Sequence, residues 1–312
     1  MTPRSDLAVT LGRITLTPCV MNAAGPRSLR DGDLQALTRS HTGAIVVGPV
    51  TVAARAGQDS NDWYVDVERG QSGRTEPLEN PGCEAYAEQL RQLRARCDRP
   101  LVVSVVGFTV DEYVRAARIL GRVADAIELD LAWPGAATKT QLGHDFQMVH
   151  QVLQGARETT TADLWVKLPP YQDIGQIEAM ARLLVSSRVH AVVASGPPAG
   201  LDLDLNSETS RLACAEGLCG IGGRDVLRQA RWNIREMWRA LGGTLPVIGA
   251  GGVWTGEDAF GHVLCGAAAV QIGTAYLAEG PAVFARLEKE LKTVAGRKKL
   301  GSLLSKVGAL QD

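Results

Sequence analysis

Eight short apolar runs, each followed by a turn and most by an amphipathic stretch, set the tightest limit on how this chain folds. They fall at Cys19–Ala23, Ala44–Val50, Leu101–Val106, Ala126–Leu131, Leu164–Leu168, Ala191–Ala194, Pro246–Gly249 and Ala268–Ile272. The runs are nearly continuous rather than alternating, as in parallel strands covered on both faces. Helical patterns lie between most of them, at Asp111–Leu120, Ile174–Ser186, Asp225–Leu241 and Gly256–Leu264. Thr109 and Thr255 stand just before two of these segments and are followed by acids, the signature of a capped helix start. The pattern predicts an α/β chain, a closed (β/α)8 barrel of the TIM type. An open doubly wound sheet fits the same periodicity and is the rival. At 312 residues one barrel domain covering 1–312 is expected, large enough to bury roughly three quarters of its unfolded surface.

Composition narrows the function. A formal net charge of -1 and a hydrophobic fraction of 45% give no basic excess for nucleic acid and no acidic tail. No apolar run approaches the ~20 residues of a membrane span, and Met1–Arg13 does not read as a secretory signal. The six cysteines form neither a CxxC pair nor zinc-ligand spacing. No metal site, reduced thiols and a cytoplasmic location are therefore expected.

In barrels of this kind the C-terminal ends of the strands build the site. Two long polar stretches, Arg55–Gly82 after strand two and Trp133–His144 after strand four, are expected to be active-site loops. Near the end of the chain, Pro246-Val-Ile-Gly-Ala-Gly-Gly-Val253 and Val270-Gln-Ile-Gly-Thr274 each run a strand into glycine. Glycines allow backbone N–H groups to approach a phosphate, and the pair follows strands seven and eight, the recurring phosphate position. Gly220-Ile-Gly-Gly223 adds a third cluster, which alone reads equally well as a turn. Lys167 ends the fifth run. A lysine inside a buried run requires an anion or dipole to compensate it.

These motifs, together with Met21-Asn-Ala-Ala-Gly25, Lys167-Leu-Pro-Pro170, Gly256-Glu-Asp-Ala-Phe260 and Leu264-Cys-Gly-Ala267, resemble the class 1 dihydroorotate dehydrogenases. Their dimeric fumarate-using branch is the most similar. The resemblance runs from about Thr17 to Lys289 and implies FMN across the barrel mouth in a homodimer. It implies that Ala23, Ala24 and Gly25 meet the ring and that Lys167 reaches its N1 and ribityl side. Gly222, Gly223, Gly251, Gly252, Gly273 and Thr274 would line the phosphate end.

The substrate half departs from the family. Gly48 stands where the family has a lysine after strand two. Asp130-Leu-Ala-Trp133-Pro-Gly135 replaces Asn-Leu-Ser-Cys-Pro-Asn, so Trp133 occupies the place of the catalytic cysteine. Ser195 replaces an asparagine near the end of strand six, and a further asparagine is missing near Gly73. Each lost buried partner weakens binding by roughly 1–3 kcal/mol, and an indole N–H only donates. The expectation is an FMN-dependent oxidoreductase acting on a small molecule other than dihydroorotate. Lys167 supports the reduced flavin, and Asp130 is either an acid–base group or a structural acid. Trp133, Gly48 and Ser195 form the substrate pocket, where Trp133 is either a stacking surface or a plug. Arg74, Glu76 and Lys139 are charged loop residues near it. The alternatives are an authentic dihydroorotate dehydrogenase and a catalytically silent flavin- or partner-binding homologue.

Overall fold

The structure is a computed structural model and describes residues 6–56, 63–74, 79–133, 141–211 and 219–311. All eight expected strands form one parallel sheet: β1 Val20–Asn22, β2 Ile45–Val50, β3 Leu101–Val105, β4 Ala126–Asp130, β5 Asp163–Lys167, β6 Ala191–Ala194, β7 Val247–Ala250 and β8 Ala267–Ile272. The order is β1-β8-β7-β6-β5-β4-β3-β2. Every pair along it is parallel, and the strands are buried almost throughout. Their β-branched and alanine-rich composition suits strands covered by helices outside and packed side chains inside.

One side chain decides between barrel and open sheet. At the seam between β1 and β2, Asn22 acts as a prosthetic rung. Its Nδ2 donates to the Val46 carbonyl at 2.5 Å and its Oδ1 accepts from Val46 N at 2.9 Å. Just below, Gly43 N donates to the Val20 carbonyl at 2.8 Å. Replacing Asn22 by leucine is expected to strand two buried backbone groups and destabilise the protein by about 2–4 kcal/mol. A urea unfolding curve measures this; an unchanged midpoint would show that Asn22 is not needed for closure.

The helices follow the sequence pattern closely. They are α1 Asp31–Thr38, α2 Cys83–Arg94, α3 Val110–Leu120, α4 Phe146–Thr159, α5 Ile174–Ser186, α6 Leu227–Leu241, α7 Gly256–Cys265, α8 Thr274–Glu279 and α9 Ala282–Arg297. Thr109 caps α3, and Thr255 with Asp258 forms a complete capping box on α7, as the hydroxyl-then-acid pattern predicts. The sixth helix starts two residues later than expected, because Arg224–Val226 forms a 3-10 turn.

Two additions were not apparent in the sequence. A hairpin, Val9–Leu11 with Ile14–Leu16, covers the N-terminal end of the barrel. Leu11 and Leu16 are buried there, and Arg13 donates from N and Nε to the Asp163 carboxylate at the start of β5. At the opposite end a four-stranded antiparallel sheet stands over the mouth. Its order is Ala199–Gly200, Cys219–Gly223, Gln71–Arg74, Trp63–Asp66. The expected loop after β2 thus carries two strands, and it pairs with a long excursion after β6 that was not expected. Gly220–Gly223 is a strand of this sheet, not only a turn. Cys219, its first residue, is disulfide-bonded, which corrects the expectation of reduced thiols throughout. Pairing depends on the approach of two chain segments in space, and spacing along the chain carries no signal for it. Cys19, Cys83, Cys97 and Cys265 are free and buried.

His262 on α7 is wholly buried beside Gly249 of β7, with Arg231 and Asp258 as its charged neighbours. Burial and the Arg231 charge push it from 6.5 down to about 3. Between those values the unfolded chain takes up a proton that the folded protein refuses. Stability is therefore whole above pH 6.5 and falls as the pH drops, by up to about 1.4 kcal/mol per unit. The difference in stability between wild type and His262→Phe is expected to shrink on acidification through this window. Parallel pH–stability curves would contradict it.

Candidate active site

The C-terminal strand ends, the glycine turns and the antiparallel sheet enclose one cleft of about 870 Å3, open solvent at its mouth included. Three groups of side chains meet in it, each carried by a different part of the barrel.

The first is a buried charge relay. Lys167 closes β5 and is 4% exposed. Its Nζ lies 2.8 Å from Oε1 of Glu128, which is fully buried on β4. The other carboxylate oxygen of Glu128 accepts from Gln271 Nε2 of β8 at 2.6 Å. Two buried charges are tolerated when paired and hydrogen-bonded in this way. Because the Gln271 amide nitrogen faces the carboxylate, its Oε1 points elsewhere and has no hydrogen-bond partner among the described residues. Lys167 and Gln271 both line the cleft.

The second group is the glycine rim. Gly222 and Gly223 come from the antiparallel sheet, Gly251 and Gly252 from the turn after β7, and Gly273 and Thr274 from the junction of β8 and α8; all six line the cleft. Gly252 has φ +77, and a Cβ there would lie 2.6 Å from the Leu227 Cα, so this turn reaches α6 only with glycine. A Cβ on Gly222 would come within 2.8 Å of Ser72 Oγ and 3.1 Å of Thr274 Oγ1. Those two hydroxyls are 2.6 Å apart. The rim is thus a narrow cradle of backbone and hydroxyl groups, suited to a phosphate.

The third group is on the substrate side. Asp130, 2% exposed, ends β4 opposite Lys167 in the strand register and lines the cleft; its Oδ1 accepts from Ala132 N at 3.1 Å. Ser195 follows β6 and also lines the cleft, as do Ala23 and Ala24 beyond β1. Gly25, Gly48 and Trp133 do not line it. Gly25 N donates to the Gly48 carbonyl at 2.7 Å, tying the ends of β1 and β2 together behind the lining. Trp133 is buried and packs on Val106. Glu76 and Lys139 lie outside the described residues.

Two residues that line the cleft, Gln271 and Ser72, and the buried Glu128 behind Lys167 escaped the sequence reading. Glu128 is a charge inside an apolar run, the same signal that singled out Lys167. Gln271 is a polar residue in another such run. Ser72, in a polar stretch, carried no signal.

Comparison with known proteins settles the lineage. The family model described as dihydroorotate dehydrogenase matches residues 6–295. This chain belongs to that family. The dihydroorotate dehydrogenase (fumarate) of Kluyveromyces lactis is 33% identical over 94% of this chain and 94% of its own length. That of Trypanosoma cruzi is 35% identical over 89% and 90%. Dihydroorotate dehydrogenase A (fumarate) of Lactococcus lactis is 33% identical over 94% and 95%. The crystal structure of ligand-free DHODH from Eimeria tenella superposes with a TM-score of 0.82 at 18% identity, over 98% of this chain and 92% of that one. The complex with ferulenol gives 0.81 at 17% identity, over 97% and 88%. These structures establish the barrel. Among the described residues no helix is long and apolar enough to cross a membrane, and no cluster of His, Cys, Asp or Glu is placed to hold a metal.

Proposed function

We propose that the protein is an FMN-dependent oxidoreductase whose substrate is a small molecule other than dihydroorotate. The observation that carries the reading is the cleft in which a rim suited to a phosphate, from Gly222 to Thr274, leads to a buried lysine and a carboxylate. The residues present fit the cofactor. Backbone N–H groups and the Ser72 and Thr274 hydroxyls suit a phosphoester, Ala23 and Ala24 leave room for a flat ring, and Gln271 Oε1 offers an acceptor to a ring N–H. FMN bound there supplies a two-electron hydride carrier.

The protein's own groups do the rest. Lys167 holds positive charge against the ring edge. Asp130, a buried carboxylate that lines the cleft at the end of β4, is the group assigned to accept or return a proton at the substrate. Trp133 cannot take that proton, since its indole only donates; it is buried and packs on Val106. Gly48 brings no cation to the substrate. Together these changes disfavour a carboxylated pyrimidine. The reading extends to a homodimer; the exposed Leu201, Leu203 and Leu205 supply apolar surface for a second copy.

The protein as purified, or after addition of FMN, is expected to be yellow and to stay oxidised when dihydroorotate is added without oxygen. A colourless protein that refuses FMN would rule out the cofactor. Prompt bleaching by dihydroorotate would instead establish the second reading, a true dihydroorotate dehydrogenase, which the names of the relatives favour.

A further inference from the structure

We infer that Glu128 and Gln271 are positioning residues that hold Lys167 in place and damp its charge, so that the redox poise of the cofactor is set from strands β4 and β8 as well as β5. The inference rests on the flavin reading above. Its physical basis is the geometry beneath the cleft floor. A carboxylate 2.8 Å from the lysine ammonium, itself fully buried, cancels much of the field the lysine projects into the cleft. Gln271 fixes the carboxylate from its other side at 2.6 Å, so neither partner is free to swing away. The lysine presents a dipole to the ring rather than a bare cation.

FMN held there would gain negative charge at its N1–C2 edge on two-electron reduction, and likewise on addition of the sulfite sulfur lone pair to N5. A bare cation near that edge stabilises both products; a neutralised one stabilises them less. Glu128→Gln removes the carboxylate charge and keeps its shape. The variant is expected to bind FMN, to show a higher FMN midpoint potential than wild type, and to bind sulfite about tenfold more tightly, or about 1.4 kcal/mol. Glu128→Asp, which keeps the charge but withdraws it by one methylene, is expected to shift both quantities in the same direction by less. It carries the test should the glutamine variant fail to fold. Neither readout depends on knowing the substrate, and neither moves if Glu128 merely fills space.

Wild-type protein that takes up no FMN overturns the flavin reading and this inference together. Wild type that binds FMN, with variants of unchanged or lowered potential and sulfite affinity within twofold of it, overturns this inference alone.

Discussion

Replacing Lys167 by methionine is expected to destabilise the folded protein by about 3–5 kcal/mol, the cost of leaving a buried charge without its counterion. The charge in question is Glu128, which is fully buried and, among the described residues, would keep only the Gln271 amide as a partner. A methionine of similar length fills the lysine's place, so lost packing contributes little. The double variant Lys167→Met/Glu128→Gln is expected to recover much of the loss, because an amide is far less costly to bury than a carboxylate. The urea curves of wild type, Lys167→Met, Glu128→Gln and the double variant form a cycle whose coupling energy reports the pair directly. A single variant within about 1 kcal/mol of wild type, the range of exposed ion pairs, would show that the pair is solvated and contributes little. The ordering of the variants is the sharper result, since it separates loss of the pair from loss of the lysine.

Introducing a lysine at position 48, where the resemblance to the family places one, is expected to harm the protein rather than confer oxidation of dihydroorotate. Gly48 has φ +110, and a Cβ built on it would sit 2.4 Å from the Ser104 carbonyl oxygen and 3.1 Å from Val50 N. Backbone strain and overpacking together are expected to cost about 2–5 kcal/mol in Gly48→Lys. The variant should melt well below wild type and gain no oxidation of dihydroorotate. A stable variant that turns over dihydroorotate would mean that the strand end relaxes easily and that only one side chain separates this site from its relatives. The expected outcome places the divergence in the backbone at the end of β2, where Gly25 N is bonded to the Gly48 carbonyl.

Much of the site was legible because each chemical task leaves a local mark. Glycine after a strand marks close backbone approach, and that reading pointed to Gly251, Gly252, Gly273 and Thr274, while the family resemblance pointed to Gly222 and Gly223; all six line the cleft. A charge inside an apolar run marks a buried ionic group, and Lys167 was found that way. The same rule applied to Glu128 would have found its partner. What no local rule supplies is that the two meet, since 39 residues separate them along the chain. Gly25, Gly48 and Trp133 show the converse limit. Their positions in the family pattern place them near the substrate, yet their contacts set them behind the lining.

The sequence by itself determined the eight strands, their parallel arrangement and most helix boundaries, because burial on both faces and helix capping act over a few residues at a time. It also marked the glycines that rim the cleft, since the need for glycine is local. Tertiary structure alone decided that the sheet closes, through the Asn22 side chain bridging to Val46. It alone brought segments from after β2 and β6 together over the mouth and joined Lys167, Glu128 and Gln271 from three strands. Those outcomes depend on which distant groups satisfy one another's hydrogen bonds and charge, and a pattern that repeats every few residues holds no record of that.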